Sequence, residues 1–114
     1  MLRRKAEMIE RHRERCRDGK GVMRDLICLT PEETGGKCSN FTRLLIDPGC
    51  SIGLHDHTEN AEVYYVLSGE VVTLENGEEI VLREGDVTYT GGGAEHFVEN
   101  RTDTLAEVLA IVLN

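Results

Sequence analysis

The sequence predicts an all-β barrel or sandwich preceded by one N-terminal α-helix. Eight or nine short β-rich runs follow Gly21, turn signals separate them with no helical pattern between, and the only stretch with helical spacing is the leader. From Leu2 to about Arg17, the residues Leu2, Ala6, Ile9 and Cys16 fall at roughly helical intervals, and Glu7 stands four residues before Arg11. Gly19 and Gly21 end the segment. Its apolar stripe is thin, so such a helix depends on docking against the rest of the chain. Residues 1–21 are therefore read as a basic helix and linker, and residues 22–114 as the β domain.

The β-rich runs cover residues 22–29, 41–46, 51–55, 61–67, 70–75, 78–82, 86–90, 96–100 and 105–113. Between them lie "TPEETGGKCSN", "DPG", "SG", "NG", "REG" and "GGGAE", whose Gly, Pro, Asn and Asp residues favour turns. Asn76-Gly77, set between two alternating runs, is the strongest hairpin signal.

The length of 114 residues matches one domain, with 39% hydrophobic and 30% charged residues as in ordinary globular chains. Charge is segregated: residues 1–25 sum to +4 and the remainder to −12. An acidic body repels nucleic acid and anionic lipid, so neither is an expected partner; the basic leader is read as docking on that body. The start lacks an apolar signal segment and no run has the length of a membrane span, which gives a cytoplasmic expectation. Cys16, Cys28, Cys38 and Cys50 form no CxxC pair and are expected to be reduced, structural thiols.

Chemistry concentrates in "HDHTENAE", residues 55–62. Side chains alternate along a strand, so His55 and His57 share a face, roughly 6.6 Å apart along the backbone. Glu62 lies just past a turn, where a hairpin brings it beside the pair. His96, the other histidine outside the leader, begins a run after "GGGAE". His12, between arginines, is read as part of a solvated face.

These residues resemble the signatures of the cupin superfamily. Gly49, His55, His57, Glu62 and Gly69 match the first without a gap, and Gly85, Gly93, His96 and Asn100 match the second. The family usually has Pro where Gly91 stands, which bears on the rigidity of the loop before His96. The resemblance spans about residues 40–113 and implies a jelly-roll β-barrel (double-stranded β-helix) holding a divalent metal through His55, His57, Glu62 and His96. Three imidazoles and one carboxylate suit Mn, Fe, Co, Ni, Cu or Zn, and leave open positions for a ligand if the geometry is octahedral.

Around that set, Tyr64 and Val66 share the parity of Glu62 and are expected inside, with Val63, Tyr65 and Leu67 forming an outward apolar row. The row needs cover, and cupins are commonly dimers, so a homodimer is expected. Tyr64 is the first candidate for orienting a ligand, with core packing as the alternative. Arg43 binds a substrate carboxylate if its face is interior and is a surface charge if exterior. Tyr89 and Phe97 are read as pocket lining or core, and Cys50 is given no role.

Two functional classes follow. One is a metal-dependent oxygenase, decarboxylase or isomerase acting on a small polar or carboxylate-bearing molecule. The other is a non-catalytic sensor or binding module. Oxalate decarboxylases of the family carry an arginine three residues before the first histidine; Ile52 occupies that position here, so Arg43 would have to substitute.

Overall fold

The computed structural model describes residues 1–114 and contains ten strands: β1 (Ile9–Glu14), β2 (Val22–Leu29), β3 (Cys38–Ile46), β4 (Ser51–Asp56), β5 (Ala61–Ser68), β6 (Glu70–Glu75), β7 (Glu78–Arg83), β8 (Val87–Thr90), β9 (Glu95–Glu99) and β10 (Ala106–Leu113). Every pairing is antiparallel. One sheet has the order β1-β2-β3-β10-β5-β8 and the other β4-β9-β6-β7. Their inner faces close on each other as a jelly roll.

Strict alternation explains the packing. Along β10, Ala106, Val108, Ala110 and Val112 are buried while their neighbours are partly exposed, and β5 and β3 repeat the pattern. Leu44, Ile46, Tyr64, Val66, Val71, Val98 and Val108 meet in one core cluster. Each such side chain contributes about 1.5–3 kcal/mol when fully buried. The β6–β7 hairpin turns through Asn76 (φ 51°) and Gly77 (φ 80°), the two left-handed residues that a tight hairpin turn requires.

Asn100, fully buried, ties the end of β9 to two other segments. Its amide nitrogen donates to Ile46 O (2.8 Å) and Thr104 O (2.7 Å), and its side-chain oxygen accepts from Thr102 N (2.9 Å).

The leader departs from expectation: it is not an α-helix. Lys5–Glu7 and Cys16–Asp18 are single 3-10 turns, and between them β1 pairs antiparallel with β2 from Ile9↔Ile27 to Glu14↔Val22. The physical reason lies in the alternation of "RHRER". Arg11 and Arg13 fall on one face and both reach the buried Asp25, each at 2.7 Å, which a 3.6-residue period would not allow. The basic leader does dock on an acidic group, as an edge strand.

Candidate metal centre

The two sheets bring four side chains to one point. His55 is on β4, directly opposite His96 on β9, while His57 follows β4 and Glu62 points inward from β5. The loops that carry them are laced by backbone bonds: Gly93 N donates to His57 O (2.8 Å) and His57 N to Ala94 O (3.1 Å). Gly91 belongs to this closure, because an added Cβ would lie 2.9 Å from the Ala61 side chain. Glycine leaves room there for the Ala61 methyl group.

His96 Nε2 lies 3.0 Å from His55 Nε2, 3.1 Å from His57 Nε2 and 3.0 Å from Glu62 Oε1. His57 Nε2 is 3.1 Å and His55 Nε2 3.6 Å from the same carboxylate oxygen. Two donor atoms each about 2.1 Å from a common ion are about 3.0 Å apart at right angles and about 3.4 Å at the tetrahedral angle. The observed separations span that range.

His55 Nδ1 donates to Gly53 O (2.7 Å) and His57 Nδ1 to Asn60 Oδ1 (2.6 Å), so in the neutral rings both Nε2 atoms present lone pairs to the centre. Glu62 adds another acceptor. His96 Nε2–H can donate to only one of the three. Neutral imidazoles therefore leave lone pairs facing one another in a nearly dry site, and a cation among them would satisfy all four. The residues fit a divalent ion, and such a cluster could hold one.

The electrostatics are those of a metal-free cage. Burial pushes the Glu62 carboxyl up, but hydrogen bonds with His55, His57 and His96 outweigh it and hold the group well below the usual carboxylate range. The Glu62 hydrogen bond raises His57, against the effect of burial, whereas burial lowers His96.

Beside the cluster is a cavity of about 220 Å³ lined by His55, His57, Glu62, Tyr64, Ile52 and the leader's Arg11, Arg13 and Arg17, among others. That is below the ~300–1,000 Å³ of pockets for larger ligands. Tyr64 is fully buried, stacks on His96 and has a hydroxyl without a partner. Burial, then the Glu62 charge, raises its pKa well above the phenolic value.

The other expected ligand-binding residues lie elsewhere. Arg43 is on the outer face of β3, paired with Glu107, while Thr42, Leu44 and Ile46 face inward. Tyr89 is 65% exposed on the outside of β8, and Phe97 faces outward from β9 beside Ile52 and Leu54. Sequence reading missed Arg11, Arg13, Cys16 and Arg17 as cavity residues; the alternation of Arg11 and Arg13 was the available signal.

Fold and site define a small jelly-roll barrel with a His₃Glu cluster in its mouth. The chain belongs to the cupin family, whose cupin-domain model matches residues 42–112. It is 35% identical to an oxalate-binding protein of Thermotoga maritima, over 99% of this chain and 93% of that protein. A crystal structure of a predicted oxalate decarboxylase from Thermotoga maritima superposes with a TM-score of 0.94 at 35% identity, covering 99% of this chain and 98% of that one. A sugar phosphate isomerase of the cupin superfamily from Silicibacter pomeroyi superposes with a TM-score of 0.77 at 22% identity, covering 96% of this chain and 73% of that one; this similarity concerns the fold. No helix is long and apolar enough to cross a membrane, and all four cysteines are free.

Proposed function

We propose that this cupin holds one divalent transition metal through His55, His57, Glu62 and His96 and binds a small dicarboxylate of the oxalate class beside it. The observation that carries the reading is the convergence of three imidazole nitrogens and one carboxylate oxygen, with both His55 and His57 tautomers fixed toward the centre. When bound, the metal supplies a Lewis-acidic or redox centre with room for a ligand oxygen. The small volume of the cavity and the oxalate-binding relative support the ligand class.

Turnover as an oxygenase, decarboxylase or isomerase and binding without turnover are both compatible with such a centre. Tyr64 lines the cavity with a buried hydroxyl that can orient a ligand in either case. The test is titration calorimetry of oxalate and malonate into metal-loaded and chelator-stripped protein, with formate, carbon dioxide and dioxygen followed in parallel. Metal-dependent binding supports the proposal, product formation selects the enzyme, and equal silence of both forms contradicts it.

The proposed assembly is a cytoplasmic homodimer. Phe41, Val63, Tyr65, Leu109 and Ile111 make a continuous outward row across β3, β10 and β5, in register from Phe41↔Ile111 to Leu109↔Tyr65. A two-fold axis places such a row against its own copy. Native mass spectrometry at twice the chain mass supports the dimer, and a monomer at micromolar concentration contradicts it.

A further inference from the structure

Arg11, Arg13 and Arg17 of the leader line the same cavity as His55 and His57, and they are not equivalent. Arg11 and Arg13 are both tied to the buried Asp25, and Arg13 also donates to Cys16 Sγ (3.1 Å). Arg17, like Arg4 and Arg15, has no carboxylate partner, and of these three it alone lines the cavity, whereas Arg3, Arg24, Arg43, Arg83 and Arg101 are all paired. The only carboxylate lining the cavity is Glu62, which is engaged by the three histidines. The mouth is therefore a place where a positive guanidinium faces no internal counter-charge.

The backbone that presents Arg17 is strained and firmly held. Arg15, Arg17 and Asp18 have φ of 46°, 55° and 60°, a left-handed conformation that residues with a Cβ adopt at a cost. Two glycines lock the turn onto β4. A methyl group on Gly53 would overlap the Arg17 carbonyl oxygen, and one on Gly19 would overlap the Ser51 carbonyl oxygen. Lys20 N donates to Ser51 Oγ and Ser51 N to Lys20 O, both at 2.9 Å. The clasp thus fixes Arg17 against the strand that carries His55, two residues beyond Gly53. Strain maintained by such close backbone contact is characteristic of binding sites.

A second observation points to a ligand. The Tyr64 hydroxyl is fully buried, lines the cavity close to the Glu62 carboxylate and makes no hydrogen bond of good geometry. A buried donor is normally satisfied, and an acceptor oxygen in the cavity would satisfy it.

We infer that Arg17 is the carboxylate-binding residue of this cavity, held in place by the Gly19–Gly53 clasp, and that it selects a small dianion over a monoanion. This rests on the proposed dicarboxylate reading and assigns its specificity to a residue of the leader.

The experiment uses the full metal-loaded chain and calorimetric titration with oxalate and with formate. Arg17→Gln is expected to weaken oxalate binding by roughly 10- to 100-fold, the range for losing one charge-assisted contact, while formate binding changes little. Metal content and Tm stay at the wild-type level, because Arg17 is outside the ligand cluster. Arg17→Lys recovers part of the oxalate affinity. Gly53→Ala, which displaces the clasp without removing charge, reproduces the loss. Wild-type affinity in Arg17→Gln at full metal occupancy overturns the inference alone. A metal-loaded wild type that binds neither oxalate nor malonate overturns the dicarboxylate reading together with it.

Discussion

The phenol ring of Tyr64 lies flat against the imidazole of His96, with centroids 4.6 Å apart and planes 5° from parallel. The stack fixes the orientation of His96 from the core side, since His96 Nδ1 has no hydrogen-bond partner to do so. His55 and His57 are held by hydrogen bonds and His96 by packing.

Tyr64 therefore separates into ring and hydroxyl. Tyr64→Phe keeps the stack and removes a hydroxyl without a partner, so stability changes by less than about 1 kcal/mol. Tyr64→Ala leaves a cavity and costs about 3–5 kcal/mol, with loss of metal. Urea denaturation and metal content of both variants check this; a Phe variant as damaged as Ala contradicts the division.

Asn100 closes the barrel through four side-chain hydrogen bonds, of which the one to Ile46 O is fully buried. Replacing it with Ala strands the buried Ile46 carbonyl, while Thr102 Oγ1 still reaches the Thr104 carbonyl (3.1 Å), for an expected loss of about 1–3 kcal/mol measured by denaturant unfolding. A loss under about 0.5 kcal/mol would show that water replaces the amide.

Asp25 holds β1 by accepting from both Arg11 and Arg13. Asp25→Ala removes the shared counter-charge from partly exposed guanidiniums, so the expected cost is roughly 2–3 kcal/mol, at or below the range for breaking a fully buried pair. Hydrogen exchange reports it: amides of β1 and its partners on β2 exchange faster while β6 and β7 are unchanged. Unaltered protection across β1 contradicts the pairing.

Acidification acts on metal-free protein through Glu62. Its folded pKa is depressed, so its contribution is complete above the unfolded carboxyl value of about 4.3 and is lost as pH falls below it. Tm of the metal-free wild type then declines more steeply between about pH 4.5 and pH 3 than that of Glu62→Gln. Identical slopes would show that the histidines do not hold the carboxylate charged.

Much of this was legible in the sequence because a period of two and a fixed ligand spacing are local signals. His55, His57 and Glu62 come together through one turn, and β5 exposes the faces its alternation implies. The leader was not legible as a strand, because its sparse apolar residues fit a helix as well; only the distant Asp25 chooses the two-residue period. Arg43 was ambiguous for a related reason. Both faces of β3 are apolar, Phe41 and Leu45 outside and Leu44 and Ile46 inside, so parity alone could not orient the strand.

Elemental analysis with native mass determination on wild type, His57→Ala and His96→Ala, after reconstitution with each candidate divalent metal, decides whether the four side chains hold an ion. Close to one metal per chain is expected in the wild type for at least one ion, with occupancy reduced by roughly tenfold or more in both variants. Wild-type protein that takes up none of the ions, or variants that retain metal at the wild-type level, would contradict metal binding by these side chains.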